Sequence, residues 1–319
     1  MTNAALEPSL RGVLLPITTP FRGELIDYAA LSSNFSQWNK TGIAGYVVLG
    51  STGERVHLDE REYSELIIAS RELIPRSMAF IVGAGQQSTR GTINEVRKAA
   101  QAGADAVLVI TPNYYRSAIS QETLLNHYTA VADAAPVPVL LYSMPALTGV
   151  KIEPETVARL SEHPNIAGVK DSSNDVAGFS QTVKLCPTDF AVMTGNGTVF
   201  LDALQAGATG AILAVGCVVP EICVEIFHAF KKDTERAQHL QSKLTPLAAA
   251  VTTRFGIGGL KAALDLAGYR GGEVRAPLQA PNENARAEIA SLLDDAKHAR
   301  KTPRRPLCFG WPPCQCPPP

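Results

Sequence analysis

Short apolar runs alternate along the chain with longer stretches whose apolar residues recur at helical spacing. Most of the runs are apolar at consecutive positions, which is typical of strands covered on both faces of a parallel sheet. Strands that alternate with helices favour an α/β fold in which crossover helices join parallel strands. We predict strands at residues 12–18, 46–49, 79–83, 106–110, 139–142, 166–170, 190–194 and 211–215. These eight β/α units predict a (β/α)₈ barrel, or TIM barrel.

Several of the intervening helices have recognisable ends. Asp59, followed three residues later by Glu62, has the pattern of a capping box and predicts a helix start. Ser88 is a similar N-cap residue, and Gly103 stands where the same helix would end. The tetrapeptide Gln-Ala-Gly-Ala occurs at 101–104 and again at 205–208, each time before a predicted strand. The repetition indicates one helix-turn-strand unit that is used more than once.

The chain is longer than eight β/α units require. Residues 221–266 have helical periodicity with an interruption near 255–259, and a further helix is predicted at 284–298. This excess predicts a small C-terminal helical extension packed on the barrel. Beyond Lys301 the proline-rich sequence cannot continue a helix and is predicted to be disordered. The predicted organisation is an N-terminal segment (1–11), the barrel (12–220), a closing helix with the C-terminal helical extension (221–300) and the tail (301–319).

Composition narrows the range of partners. The chain has 319 residues, of which 45% are hydrophobic and 18% charged, as in a soluble globular protein. Its formal net charge is -1 and it has no long charged run, so nucleic acid and membrane surfaces are not expected partners. A small neutral or anionic molecule is expected instead. Residues 1–11 lack the apolar segment of a signal peptide, and no apolar run approaches the roughly 20 residues that span a bilayer. We therefore expect a cytoplasmic protein.

The six cysteines are too few for a disulfide scaffold in a chain of this size. Three of them, Cys308, Cys314 and Cys316, fall in the tail, where a Cys-Gln-Cys sequence could hold a metal. Neither a paired Cys-x-x-Cys motif nor a histidine cluster accompanies them. We therefore predict no metal site.

Lys170 is a candidate catalytic residue, because the active site of a (β/α)₈ barrel lies at the carboxyl ends of its strands. It ends the sixth predicted strand, in the sequence Gly-Val-Lys-Asp-Ser. A lysine there is costly unless it is paired or performs chemistry, and desolvation favours the neutral amine, which attacks carbonyl groups. The alternative is a structural lysine that extends to solvent or pairs with Asp171. Position alone leaves both interpretations open.

Two further features lie at the same level of the predicted barrel. Tyr142 ends the fifth strand, where its phenol can transfer protons to and from a substrate or can simply be a large core side chain. The loop after the second strand, residues 50–54, combines glycines with Ser51 and Thr52. Its exposed N–H groups and hydroxyls can hold a carboxylate, although many ordinary turns have the same composition.

These features occur together in an order and at spacings that resemble one family. The segments 50–54, 111–115, 142–145 with 148–149, and 168–172 are similar to the motifs of the dihydrodipicolinate synthase and N-acetylneuraminate lyase family. The similarity extends from about Gly12 to Leu278. It implies a class I aldolase that forms a Schiff base with pyruvate or a related 2-oxo acid and needs no metal or organic cofactor.

The resemblance also implies roles for individual residues. Lys170 would form the Schiff base, and Tyr142 would shuttle protons. Ser51 and Thr52 would bind the carboxylate of the 2-oxo acid, with Ser51 also in the proton relay. Ile212 would contribute a backbone contact near the bound oxo acid.

Tyr114 corresponds in this resemblance to the relay tyrosine that family members insert into the active site of a neighbouring subunit. A homo-oligomer is therefore implied, either a dimer or, more usually, a tetramer. Tyr115 is adjacent and is the alternative relay residue. If neither ring crosses an interface, both are packing aromatics.

The loop after the tyrosine strand bears on the choice of substrate. Enzymes of the family that use aspartate semialdehyde have an arginine in this loop, and this chain has Leu147 there. Leucine cannot replace the bidentate grip of a guanidinium on a carboxylate. Segments 142–146, 170–172, 253–257 and 275–279 instead resemble the 4-hydroxy-2-oxoglutarate aldolases. That resemblance implies reversible cleavage of 4-hydroxy-2-oxoglutarate to pyruvate and the aldehyde glyoxylate. Ser172 would help to bind the distal carboxylate of the hydroxy acid.

Other functions remain open. A synthase that uses aspartate semialdehyde would need another cation near Leu147, and an aldolase or dehydratase of a sugar-derived 2-oxo acid would differ by one loop. A catalytically silent sensor of pyruvate-like ligands is a third alternative, but binding alone needs neither an imine nor the pairing of Lys170 with Tyr142. Arg254 and Arg275 are further candidate carboxylate ligands, although their position after the barrel favours helix packing or an interface.

Overall fold

The computed structural model describes residues 10–301 and contains a closed barrel of eight parallel strands. Each strand pairs with the strands that precede and follow it in the chain, so the order around the barrel is the order in sequence. The predicted (β/α)₈ fold is confirmed. The strands are β1 Val13–Pro16, β2 Gly45–Val48, β3 Ala79–Ala84, β4 Ala106–Ile110, β5 Val139–Ser143, β6 Ile166–Asp171, β7 Ala191–Thr194 and β8 Gly210–Ile212.

A helix follows each strand and covers the outside of the barrel. Asp59 forms the predicted capping box with Glu62, and Ser88 caps the next helix by accepting a hydrogen bond from Gly91 N. The helices are α1 Tyr28–Trp38, α2 Glu60–Leu73, α3 Thr89–Gln101, α4 Gln121–Ala134, α5 Pro154–Ser161, α6 Val176–Leu185, α7 Phe200–Gln205 and α8 Pro220–Ala229. A short antiparallel hairpin, Phe21–Arg22 with Leu25–Ile26, stands between β1 and α1.

The apolar core has two layers, because each strand buries both of its faces. Alternate strand residues fill the barrel interior, where Tyr142, Met193 and Ile212 belong to one cluster. The other strand residues pack against the helices in a larger cluster. A side chain at the end of a strand therefore faces either the barrel mouth or the helical layer, and its register decides which.

The eighth strand is shorter than predicted. It ends at Ile212, and the apolar residues that follow form a short 3₁₀ helix, Ala214–Cys217. The indole N–H of Trp38 donates to the carbonyl of Cys217 at 2.9 Å, which fixes this turn against α1. The sequence of an apolar run does not show where the strand ends, because buried turns and buried strands have the same composition.

The helical C-terminal extension is present, with two breaks rather than the single predicted interruption. The chain turns between α8 and α9, Thr234–Ala249, and a π-helical turn, Ala250–Arg254, then joins α9 to α10, Gly256–Ala267. The last helix is α11, Glu283–Lys301. No helix within residues 10–301 is long and apolar enough to cross a membrane. The predictions for residues 1–9 and for the tail, with Cys308, Cys314 and Cys316, lie outside the described residues.

His127 on α4 provides a test of the packing between α3 and α4. It is buried, its Nδ1 lies 2.9 Å from Thr89 Oγ1, and burial lowers its pKa from 6.5 to about 4. Between these two pH values the unfolded chain binds a proton that the folded protein excludes, so the free energy of unfolding falls as the pH is lowered through this window. The slope attributable to His127 approaches about 1.4 kcal/mol per pH unit.

We expect His127→Gln to lose less stability than the wild type between pH 7 and pH 5 in urea unfolding. Equal losses in both proteins would show that His127 does not titrate in this way.

Candidate active site

Lys170 and Tyr142 meet at the carboxyl ends of two neighbouring strands. They are register partners on β6 and β5, so their side chains leave the sheet on the same face. Tyr142 belongs to the interior cluster, and Lys170 Nζ lies 4.4 Å from the centroid of its ring. The buried apolar residues that precede Tyr142 and Lys170 hold the two strands in this register. The amine and the phenol therefore come together at the carboxyl end of the barrel, as predicted.

Lys170 does not extend to solvent. Its relative exposure is only 4%, and within residues 10–301 it forms no ion pair with Asp171. Successive strand residues point to opposite faces, which turns Asp171 away from the barrel interior. The Asp171 carboxylate instead accepts a hydrogen bond from Ser173 N at 2.7 Å, and burial raises its pKa. The Lys170 amine is therefore buried beside the Tyr142 ring without a carboxylate partner among the residues described.

The loop after β2 reaches the same place. Its residues Ser51–Gly53 form a 3₁₀ turn, and Ser51 Oγ lies 2.9 Å from Tyr142 Oη, close enough for a hydrogen bond in which either oxygen can donate. Thr52 is buried in the same turn. Thr19 anchors the loop from below by donating a hydrogen bond to Gly53 O at 2.7 Å. The predicted serine, tyrosine and lysine therefore form one continuous group.

Ser172 and Ile212 also lie close to this group. Ser172 N donates to Ser143 O at 3.0 Å, which ties the residues after Lys170 to the end of β5. Ile212 is fully buried and belongs to the interior cluster that contains Tyr142. Ser172 Oγ and Lys170 Cε both lie against Gly195. Contact of Ser172 and Ile212 with substrate stays a prediction.

Tyr114 and Tyr115 stand apart from the other predicted residues. Their relative exposures are 75% and 72%, and their rings contact each other edge to face with centroids 5.0 Å apart. Within the described chain neither hydroxyl hydrogen-bonds to Ser51 or Tyr142. Gln87 Oε1 accepts hydrogen bonds from Asn113 N and Tyr114 N, both at 2.8 Å, so the backbone of this segment is held while its rings face outward.

A guanidinium that the sequence analysis did not single out lies beside the Leu147 loop. Leu147 is exposed on the single helical turn Pro145–Thr148, which ends at Gly149 with φ 66°. A methyl group at Gly149 would lie 2.8 Å from Arg116 Nη1, so the arginine side chain crosses this glycine closely. Within residues 10–301 the Arg116 guanidinium has no ion-pair partner. Nothing in the spacing of 116 and 149 indicates this contact.

The other two candidate arginines have structural partners. Arg254 pairs with Glu288 on α11, and Arg275 pairs with Glu62 on α2. These contacts agree with the expected helix-packing role of both residues. Among the residues described, no group of three or more His, Cys, Asp or Glu side chains is arranged to hold a metal ion.

Comparison of the sequence with known proteins identifies one family. Residues 9–296 match the sequence model of the dihydrodipicolinate synthetase family. The 4-hydroxy-tetrahydrodipicolinate synthase of Thermodesulfovibrio yellowstonii is 34% identical over 287 residues, covering 90% of this chain and 98% of that protein. A probable mitochondrial 4-hydroxy-2-oxoglutarate aldolase of Emericella nidulans is 34% identical over 303 residues, covering 93% and 97%.

Solved structures agree with the sequence comparison. The 4-hydroxy-tetrahydrodipicolinate synthase from Methylacidiphilum fumariolicum SolV superposes with a TM-score of 0.86 at 29% identity and covers 91% of this chain and 97% of its own. A monomeric dihydrodipicolinate synthase variant superposes with a TM-score of 0.87 at 31% identity and covers 92% and 98%. The resemblance found in the sequence motifs is confirmed. The chain belongs to the dihydrodipicolinate synthetase family, and it is a class I pyruvate-dependent aldolase.

Proposed function

We propose that the protein cleaves 4-hydroxy-2-oxoglutarate reversibly to pyruvate and glyoxylate through a Schiff base at Lys170. The observation that supports the chemistry is the group formed by Lys170, Tyr142 and Ser51, with the amine 4.4 Å from the phenol ring and the two hydroxyls 2.9 Å apart. This arrangement joins a desolvated nucleophile to a proton relay, which imine chemistry requires.

In the proposed reaction the Lys170 amine attacks the C2 carbonyl, and loss of water leaves a protonated imine. Tyr142 gives its phenolic proton to the departing water, and its phenolate then accepts the proton of the C4 hydroxyl while the C3–C4 bond breaks and glyoxylate leaves as the aldehyde. The bonding electrons pass to the imine and form an enamine. Protonation at C3 and hydrolysis then release pyruvate and restore the free amine of Lys170. Ser51 passes protons to and from Tyr142 along their 2.9 Å contact.

The remaining predicted residues have binding roles in this proposal. Ser51 and Thr52 hold the carboxylate beside the reacting carbonyl, and Ile212, in the barrel interior, contributes a backbone contact near the bound oxo acid. Tyr114 enters the active site of a second copy and extends its proton relay, for which its exposure in the single chain leaves it available. A homo-oligomer, dimer or tetramer, in the cytoplasm is part of the proposal. Because one structural relative is a monomeric variant, the oligomeric state of this protein has to be measured separately.

The choice of the second substrate rests on Leu147. The family's aspartate-semialdehyde enzymes have an arginine in this loop, and the exposed leucine removes that anchor. The Emericella aldolase and the Thermodesulfovibrio synthase are both 34% identical to this chain, so overall identity does not separate the two reactions. We assign Ser172 to the distal carboxylate of the hydroxy acid.

A second candidate function is the condensation of pyruvate with aspartate semialdehyde, because Arg116 supplies a cation near Leu147 after all. Its guanidinium crosses Gly149, two residues beyond the leucine. Glyoxylate and aspartate semialdehyde both carry a carboxylate, and either could bind there. A sugar-derived 2-oxo acid is a third possibility, since one loop can redirect the specificity of this fold.

Trapping the imine tests the reaction class. We expect pyruvate followed by borohydride to add one reduced pyruvyl group to the wild type, detected by intact mass, and to add none to Lys170→Ala. The control is Lys151→Ala, which removes a partly exposed lysine paired with Glu153 and Asp175 and should retain the adduct. Absence of an adduct in the wild type would exclude Schiff-base chemistry.

A substitution at Gly195 tests whether imine formation depends on the free space beside the Lys170 side chain. A methyl group there would lie 2.5 Å from Lys170 Cε and would also overlap Ser172 Oγ. We expect Gly195→Ala to displace the amine and slow imine formation about 100-fold, since a misplacement of a reacting group by about 1 Å can have an effect of this size. The melting temperature is measured alongside, and a variant that stays folded and traps pyruvate at the wild-type rate would contradict the prediction.

The second substrate is identified by comparing glyoxylate release from 4-hydroxy-2-oxoglutarate with condensation of pyruvate and aspartate semialdehyde. We expect glyoxylate release to be the faster reaction. If Arg116 holds a carboxylate, Arg116→Met should lower kcat/KM about 10- to 100-fold, from a charge-assisted hydrogen bond of about 1.5–3 kcal/mol.

The pyruvate adduct should be unaffected by Arg116→Met. Arg159→Met removes an exposed arginine paired with Glu122 and is the matched control. Faster condensation than cleavage in the wild type would favour the synthase instead.

A further inference from the structure

A buried ion pair joins the carboxylate-binding loop to the C-terminal extension. Lys261 Nζ on α10 lies 2.5 Å from Glu54 Oε1, and the side chains are 2% and 1% exposed. Glu54 is the last residue of loop 50–54, directly after the turn that contains Ser51 and Thr52. The proposed roles of Lys170 and Tyr142 do not use either charge.

The Glu54 carboxylate is held almost entirely by residues distant in sequence. Among the residues described, Oε1 has no hydrogen-bond partner, and its contact with the Lys261 ammonium is an ion pair. Oε2 accepts a hydrogen bond from Arg275 N at 3.4 Å and lies 3.3 Å from His57 Nδ1. Lys261 donates in turn to Glu273 O at 2.5 Å. The end of the loop is therefore fastened to the segment that follows α10.

One aromatic ring completes this attachment. Lys261 Nζ and the Arg275 guanidinium carbon lie 4.4 Å and 4.3 Å from the centroid of Phe21, on the hairpin after β1. Cations over the face of a buried ring are attracted to its negative face. Phe21 thus keeps both cations in place beside Glu54.

The backbone of Glu54 needs this support. Its φ is 55°, in the left-handed region, and its own carbonyl accepts from His57 N. A residue with a Cβ remains in that region only where its surroundings impose it. Any relaxation of Glu54 toward ordinary backbone angles would move Ser51, whose hydroxyl lies 2.9 Å from Tyr142.

Stability alone does not account for the pair. Two buried charges are often no more stabilising than a pair of apolar side chains of similar size, because both must be desolvated. Burial lowers the pKa of Lys261, and the Glu54 carboxylate acts in the opposite direction. The ion pair therefore offsets only part of the cost of burying the ammonium. The geometry that the pair imposes on loop 50–54 is the feature that an apolar pair would not reproduce.

We propose that Glu54 and Lys261 are positioning residues that hold loop 50–54 so that Ser51 and Thr52 bind the carboxylate of the 2-oxo acid. This inference rests on the proposed pyruvate imine but not on the identity of the aldehyde. It assigns the C-terminal extension a part in substrate binding, through Ser51 and Thr52 rather than by direct contact.

The test measures how much pyruvate is needed for half-maximal borohydride trapping. In Lys261→Met and Glu54→Gln we expect this concentration to rise at least about tenfold, the scale of a small misplacement of binding groups. The adduct at saturating pyruvate should persist, because Lys170 is unchanged. Arg254→Met is the matched control, since it removes an exposed ion pair with Glu288 on the same extension and should leave the concentration unchanged.

A second pair of variants separates positioning from folding. The double variant Glu54→Met with Lys261→Met removes both buried charges, so we expect it to recover a melting temperature near that of the wild type while its pyruvate requirement stays high. Lys261→Arg keeps the charge and should recover part of the affinity. If the double variant instead regains wild-type affinity together with stability, the pair is only structural and the proposal is overturned.

The outcomes also distinguish this inference from the function it rests on. A wild type that forms no adduct would overturn both. A wild-type adduct together with unchanged pyruvate affinity in Lys261→Met would overturn the positioning role and leave the Schiff-base chemistry in place.

Discussion

The parallel register between β5 and β6 is the constraint on which the site depends. Tyr142 and Lys170 are opposite each other in this ladder, and their common direction into the barrel follows from that pairing alone. A shift of one residue in either strand would turn one side chain toward the helical layer and separate the amine from the phenol. The apolar residues that precede both side chains therefore determine the chemistry as well as the packing, because they choose which face each strand end presents.

The barrel and its central pair could be predicted because their signals are local. Continuous apolar runs, the cap at Asp59 and the polar residues at strand ends each occupy a short stretch of sequence. In a parallel barrel, strand ends gather at one face, so the positions of Lys170, Tyr142 and Ser51 along the chain were enough to place them together. The structure brings the serine and tyrosine hydroxyls to 2.9 Å, as this reasoning requires.

The contacts that sequence analysis missed join residues far apart in the chain. Lys261 lies on an apolar helix and resembles any lysine that extends to solvent, until the structure places it against Glu54. Arg116 crosses Gly149 because two neighbouring loops fold toward each other, and neither loop has a composition that indicates its partner. The end of β8 was mispredicted for a related reason, since a buried 3₁₀ turn is as apolar as a strand.

The ion pair between loop 50–54 and α10 also joins residues that are synthesised at different times. The ribosome makes the loop early and Lys170 midway, whereas Lys261 emerges only after all eight strands. Lys170 is therefore synthesised before the residue that fastens loop 50–54. A chain that ends before α10 lacks Lys261 and therefore lacks the charge that fastens loop 50–54.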